Sequence, residues 1–389
     1  MKMLYILNVA NRVNNFCMSS LMAAKELNVE YHIAGNWAYK DDDERKADEQ
    51  KYGIRIHQVD FERSPVSLKN ITAYKQLKKI VARERFDVIH CNTPIGGVLG
   101  RLVARKYKTR HVIYQAHGFH FYKGAPILNW LIYYPIEKWL AKYTDTLITI
   151  NQEDFGIAKK KFRLKNHGEI YYVPGVGIDL SQYEQYELHE LRSSLGIADN
   201  DIMLISAGDL VERKNYKLSI KAIAEADMQS LKYCICGTGE QFKELVEYAK
   251  ELGVEAQVKF LGFRTDTKEL LKVADIFLFT TKQEGLPRSM MEAMASGLPC
   301  IASKVRGNTD LLEDGIGGYL CNVESASEFA NAIKKLAFDR DLRKQFGNAN
   351  LKHILEFDLS EITRQMQDIY IAECEAMPRP IPSGGDNLL

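Results

Sequence analysis

The sequence lacks several features that would place it quickly. No Gly-x-Gly-x-x-Gly turn follows the first apolar run, where the chain reads Asn8-Val9-Ala10-Asn11-Arg12-Val13-Asn14-Asn15. A nicotinamide or flavin cofactor on a dinucleotide fingerprint is therefore not expected. No Walker A sequence is present, which argues against phosphoryl transfer through a P-loop. No segment approaches the roughly 20 apolar residues needed to span a bilayer. The opening run, Met1 to Asn8, is too short for a signal peptide and reads as a first buried strand. The seven cysteines are scattered, and Cys234 and Cys236 stand one residue apart in a strand-like run, the wrong spacing for a zinc knuckle. Buried free thiols in a reducing cytosol are the expectation. Low-complexity tracts are also missing.

What is present is the composition of a globular protein, 46% hydrophobic and 26% charged over 389 residues. That length exceeds one ordinary core and predicts two domains. Strand-length apolar runs alternate with helix-length amphipathic ones, the pattern of parallel α/β layers. Strands are expected at 4–8, 31–35, 88–91, 112–116, 146–150 and 170–173, and again at 202–208, 233–236, 258–261, 276–280 and 300–302. Pro174-Gly175-Val176-Gly177 is the expected hinge, with two permissive glycines before a polar linker. The expected fold class is α/β, with two Rossmann-like domains facing across a cleft. Residues 1–178 form the first domain and 179–359 the second. A late helix near 360–377 packs back on the first, and residues 378–389 form a disordered tail.

The net charge of +1 hides an asymmetry. Residues 1–180 carry 28 Lys+Arg against 18 Asp+Glu, and residues 101–165 alone carry 13 against 4. Aromatics beside lysines through Phe119–Tyr143 suit an anionic membrane surface or a lipid-linked ligand. The alternative is a helix pair packed in the core with its lysines reaching out to water. Nucleic acid is not expected, because the charge stops short of the second half and no recognition motif accompanies it.

Four strand-end segments carry chemistry. Glu284-Gly285-Leu286-Pro287-Arg288-Ser289-Met290-Met291-Glu292 follows the apolar run ending at Thr280 and opens a helix with Pro287 in its first turn. Free amides and the helix dipole there suit anionic oxygens. Glu284 and Glu292, roughly 80° apart around a helical axis, suit separate hydrogen bonds to hydroxyls of one ligand. The plain alternative is a βα loop with two surface glutamates. Gly208-Asp209-Leu210-Val211-Glu212-Arg213-Lys214-Asn215 puts two cations at another strand end, fit to neutralise a diphosphate or simply to be solvated. Cys236-Gly237-Thr238-Gly239 reads as a tight turn, with room for close approach to a ligand. His117-Gly118-Phe119-His120 follows a strand, where His117 can donate to a substrate oxygen or move a proton near neutrality. His90 reads as a packing residue.

Together these segments resemble the retaining glycosyltransferases of family four, which have the GT-B fold. The similarity runs over nearly all of the chain and is strongest at residues 204–320. Its carriers are the Glu284/Glu292 segment with Ala293-Met294-Ala295-Ser296-Gly297-Leu298-Pro299, the 208–215 and 236–239 segments, Phe260-Leu261-Gly262, and Gly315 to Leu320. His117 to Phe121 is similar to members that build exopolysaccharide or capsule repeat units on undecaprenyl diphosphate.

The resemblance implies transfer from a UDP-sugar to a lipid-linked saccharide at the cytoplasmic membrane face. It names His117, Lys214 and Glu284 as catalytic. Arg213, Gly237, Gly239, Phe263, Arg264, Gly285, Leu286 and Glu292 would bind the donor, and Asn11, Asn14 and His120 the acceptor. No cofactor and no metal are implied. Asp209 stands where many members have arginine, with Arg213 as its substitute. A UDP-sugar epimerase and a non-catalytic nucleotide-sugar-binding protein are the alternatives.

Overall fold

Parallel strands covered on both faces are recognisable as continuous apolar runs, and these runs form two sheets. The structure, a computed structural model, describes residues 1–376 apart from Asn11, Arg12, Asn14, Arg63 and 184–188. The first sheet contains β1 (Lys2–Val9), β2 (Glu30–Asn36), β3 (Arg55–Gln58), β4 (Val88–Asn92), β5 (His111–Ala116), β6 (Thr146–Thr149) and β7 (Ile170–Tyr172). Its order is β3-β2-β1-β4-β5-β6-β7. The second contains β8 (Ile202–Ala207), β9 (Leu231–Cys236), β10 (Val258–Gly262), β11 (Ile276–Phe279), β12 (Cys300–Ser303) and β13 (Gly318–Cys321), in the order β10-β9-β8-β11-β12-β13. Every pairing in both sheets is parallel.

The chain divides into two compact units, Gly177–Glu361 and Met1–Val176 joined by the segment that begins at Ile362. In the first unit the helices are α1 (Asn15–Glu26), α2 (Asp42–Tyr52), α3 (Lys69–Glu84), α4 (Pro94–Tyr107), α5 (Ile127–Ala141) and α6 (Gln152–Lys161). The second has α7 (His189–Ser194), α8 (Tyr216–Ala226), α9 (Phe242–Glu251), α10 (Thr267–Val273), α11 (Arg288–Ala295), α12 (Asn308–Leu311), α13 (Ala326–Phe338) and α14 (Arg340–His353). The last helix, α15 (Leu359–Ala376), returns to the first unit.

Leu77 of α3, Val103 of α4, Ala141 of α5 and Ala158 of α6 share one buried cluster in the first unit. Leu21 of α1 and Ile362, Met366, Ile369 and Tyr370 of α15 share another with Met3 and Tyr5 of β1. Polar contacts fix the last helix in register. Tyr370 Oη lies 2.8 Å from His90 Nδ1, and Tyr171 Oη donates to Glu373 at 3.0 Å.

Both strand orders reverse direction once, between β1 and β4 in the first sheet and between β8 and β11 in the second. In open α/β sheets, ligands bind outside the carboxyl ends of the strands at such a switch point. The segments following β8 and β11 are Gly208–Asn215 and Thr280–Pro287.

Candidate functional site

At the second unit's switch point the two loops are joined by backbone and side-chain bonds. Lys282 N donates to Arg213 O at 2.8 Å, and Thr280 Oγ1 to Asn215 O at 2.9 Å. This brings together residues some 70 positions apart in sequence. Lys214 Nζ (2.8 Å), Arg213 Nη1 (3.0 Å) and Thr281 Oγ1 (2.9 Å) all donate to Glu284 Oε1. None of the described residues donates to Glu284 Oε2. The Lys214 and Glu284 side chains are 10% and 11% exposed, so the pair is held largely out of water. Burial pushes the Lys214 ammonium below its usual pKa, and Glu284 opposes that shift.

Two residues outside the sequence motifs hold this loop. Buried Arg306 donates from Nε to the Glu284 carbonyl at 3.0 Å. Gly307, at φ 81°, packs so closely that a Cβ would lie 2.6 Å from the Gly285 carbonyl oxygen. Pro287 precedes α11 in extended conformation rather than lying in its first turn, and α11 begins at Arg288. Glu292 accepts from Arg288 Nε at 2.8 Å, one turn along the helix.

Gly237 and Gly239 have a packing reason to be glycine. A Cβ on Gly237 would lie 1.9 Å from the Gly208 carbonyl oxygen, and one on Gly239 2.3 Å from that of Leu210. The β9 turn is thereby pressed against the loop that carries Lys214. Phe263 is exposed, and Arg264 is ion-paired with Asp266, its Nε donating at 2.7 Å. Asp209 is exposed, and Arg213 is committed to Glu284 rather than unpaired.

In the first unit, His117 follows β5 with Nε2 2.9 Å from Asn92 Oδ1 at the end of β4. The Phe16 ring meets the imidazole edge-on at 5.3 Å. Burial pushes the His117 pKa down to about 4. The ring is therefore neutral at pH 7 and poorly matched to moving a proton near neutrality. His90 is fully buried, with its pKa pushed down to about 3 by burial. His120 stacks on Tyr133 at 4.6 Å. Fully buried Asp154 accepts from Phe119 N at 2.8 Å and from Asn151 Nδ2 at 2.9 Å, fixing the segment after His117. Asn11 and Asn14 lie outside the described residues. Among the described residues, no three His, Cys, Asp or Glu side chains converge as a metal-ligand set.

The same architecture recurs in known proteins. Residues 189–353 match the family described as Glycosyl transferases group 1, and residues 5–151 the one described as Glycosyl transferase 4-like. Over 379 residues the chain is 35% identical to EpsD of Bacillus subtilis (strain 168), described as a glycosyltransferase, with 95% of this chain and 96% of EpsD covered. The chain belongs to the group 1 glycosyltransferases. It is also 28% identical over 322 residues to the Escherichia coli UDP-Gal:alpha-D-GlcNAc-diphosphoundecaprenol alpha-1,3-galactosyltransferase, covering 79% of this chain and 82% of that one. Among solved structures, Anabaena Alr3699/HepE in complex with UDP-glucose shares the fold at a TM-score of 0.78 and 21% identity, covering 96% of this chain and all of that one. The two parallel-sheet domains are those of the GT-B class. Membership in this family favours transfer over the epimerase alternative.

Four residues around the glycosyltransferase's site segments were not singled out from sequence: Asn92, Asp154, Thr281 and Arg306. Asn92 had a usable signal, since a polar residue ending an otherwise buried strand requires a partner.

The basic stretch 101–165 divides in the structure. Arg101 is buried, ion-paired with Glu137 at 2.8 Å and stacked 3.8 Å over the Tyr114 ring, so it offers no surface charge. Phe119 and Phe121 are buried in the core. By contrast, α5 exposes a broad apolar side: Ile127, Leu128 and Leu131 are 79%, 61% and 68% exposed, and Ile132, Ile136 and Trp139 are also exposed. Lys123, Lys138 and Lys142 are exposed beside it. Among the described residues, no helix is long and apolar enough to cross a membrane.

Proposed function

We propose that this glycosyltransferase moves a sugar, with retention of anomeric configuration, from a UDP-sugar to a hydroxyl of an undecaprenyl-diphosphate-linked saccharide. The reaction serves cell-surface polysaccharide synthesis at the cytoplasmic face of the membrane. The observation that carries the donor assignment is the convergence of Lys214, Arg213 and Thr281 on one oxygen of Glu284 at the second unit's switch point.

Transfer requires negative charge to be stabilised on the departing diphosphate. Lys214, held largely out of water, and the half-exposed Arg213 supply positive charge, which is worth more on the buried ammonium than in water, and no metal is invoked. Glu284 Oε2 accepts from a donor-sugar hydroxyl, next to the Gly285 and Leu286 amides. Glu292 accepts from the ribose hydroxyls, Phe263 and Arg264 border the base, and Gly237 and Gly239 admit close backbone approach. His117 is assigned to the reacting sugar, and Asn11, Asn14 and His120 to the acceptor. These roles follow the family resemblance, and the carboxylates position rather than form an acid/base pair. The lipid-linked acceptor is supported by what the Escherichia coli relative's name states of that protein, and by the apolar, lysine-flanked side of α5, which suits an anionic bilayer.

The test combines a panel of UDP- and GDP-sugars with undecaprenyl-diphosphate-linked N-acetylglucosamine. UDP release that depends on this acceptor, unchanged by EDTA and giving an α-linked product from an α-linked donor, is expected. Interconversion of UDP-sugars without acceptor would overturn transfer, and EDTA inhibition would overturn the metal-free mechanism.

A further inference from the structure

Asn92 ends a strand buried along its whole length and is itself fully buried. Its Oδ1 lies 2.9 Å from His117 Nε2, whereas its Nδ2 faces the Tyr5 hydroxyl and makes no hydrogen bond of good geometry among the described residues. A buried orphan amide is costly, so the side chain is held by something other than its own satisfaction. The next residue, Thr93, has φ 65° and ψ 159°, a region that β-branched residues rarely occupy. Thr93 Oγ1 donates to Asn8 Oδ1 at 2.8 Å, and the same oxygen accepts from Gly96 N at 2.7 Å. The ends of β1 and β4, the two strands at the switch point, are thus tied together around a strained turn. His117 stands at the end of β5, the strand next to β4.

We propose that Asn92 is a positioning residue: its carboxamide oxygen accepts from His117 Nε2–H and fixes the neutral ring in the tautomer whose Nδ1 is an unprotonated acceptor. His117 Nδ1 bonds to none of the described residues, and the ring is partly exposed. Among the described residues, the groups facing the ring are uncharged: the Asn92 carboxamide, the Phe16 ring and the neutral imidazole of His90. No described carboxylate pairs with it to favour imidazolium. His117 then receives a hydrogen bond from a hydroxyl rather than giving one, which reverses the donor role read from its sequence position. That the hydroxyl belongs to a sugar rests on the transfer reading, whereas the tautomer does not.

The tautomer is read by long-range ¹H–¹⁵N correlation on the full-length ¹⁵N-labelled protein, with the His117 signals identified by their loss in His117→Gln. A neutral Nε2–H ring from pH 6 to pH 8 is expected. An Nδ1–H ring or an imidazolium in that range overturns the proposal. Asn92→Asp supplies the second readout. A carboxylate beside the ring favours imidazolium and turns Nδ1 into a donor. With UDP-glucose as probe, kcat/KM should then fall about tenfold per pH unit below the raised pKa and recover by pH 9. The wild type should stay flat, and the donor KM should change little. A folded Asn92→Asp protein that holds an imidazolium yet keeps a flat profile overturns the role. If that variant does not fold, the wild-type spectrum decides. Absence of turnover with any UDP-sugar counts against the transfer reading and leaves the tautomer result standing.

Discussion

Lys214 Nζ and Glu284 Oε1 stand 2.8 Å apart, joining the loops that follow β8 and β11. Because Arg213 and Thr281 share the same oxygen, the four side chains behave as one unit. Lys214→Ala and Glu284→Gln should each lower kcat/KM by roughly 10²–10³. The double variant should lose less than the two single losses combined, with a coupling of about 0.5–3 kcal/mol. Steady-state kinetics on the three proteins checks this, and near-wild-type rates in both single variants would remove the site.

Glu292 and Arg288 are paired, but they should not matter equally. Arg288 is 38% exposed, and an ion pair that open to water contributes little. Glu292→Ala should weaken UDP binding by about ten- to a hundredfold, the scale of losing a hydrogen bond to a charged group. Arg288→Ala should leave it within about threefold. Thermal stabilisation on titration with UDP separates the two. Equal losses would assign the ligand contact to the pair rather than to the carboxylate.

The Arg101–Glu137 pair belongs to the fold. Glu137→Ala leaves a guanidinium buried among Tyr114 and Gly97 without its counter-ion. A loss of about 3–5 kcal/mol in urea unfolding is expected, with membrane binding by the folded fraction unchanged. Lost binding with intact stability would reverse this assignment.

Membrane attachment should depend on α5. Replacing Leu128 and Leu131 by serine, or Lys123, Lys138 and Lys142 by alanine, should reduce flotation with anionic liposomes. The lysine effect should be about fivefold per charge and should shrink in high salt. Flotation equal to wild type in both variants would exclude this helix as the contact.

Acid should destabilise the protein through its buried histidines. The pKa values of His57 and His117 are pushed down to about 4 and that of His90 to about 3, each chiefly by burial. The unfolded chain takes up protons near pH 6.5, whereas the folded protein refuses them until about pH 4. Stability is therefore full above pH 6.5, falls as the pH drops toward 4, and changes less below that. Each such histidine adds a slope of up to about 1.4 kcal/mol per pH unit. Urea midpoints between pH 8 and pH 4.5 test the sign, and a midpoint rising on acidification would contradict it.

Strands flanked by helices on both sides were legible because burial on both faces leaves an uninterrupted apolar run, as in Val112 to Ala116. β3 and β13 were not expected. Arg55-Ile56-His57-Gln58 is an edge strand with no wholly buried residue, and Gly318–Cys321 is a short edge strand opening with glycine. The site segments were visible as motifs, but their partners were not. Nothing in the spacing shows that Arg213, Lys214 and Thr281 meet on one oxygen, because the contact is made by strand order. Nor could sequence distinguish Arg101 from a surface cation. In α5 the apolar residues run around most of the helix, so periodicity did not show which side remains exposed.

The placement of α15 also bears on biogenesis. The face of the first sheet that carries Met3 and Tyr5, where Leu21 of α1 also packs, is closed by Ile362, Met366, Ile369 and Tyr370, which leave the ribosome only after the whole of Gly177–Glu361. The amino-terminal half therefore emerges with an apolar surface open and waits for the last helix to cover it. A fragment ending at Val176 should be sticky and dependent on chaperones, and adding a peptide of residues 359–376 should restore its solubility.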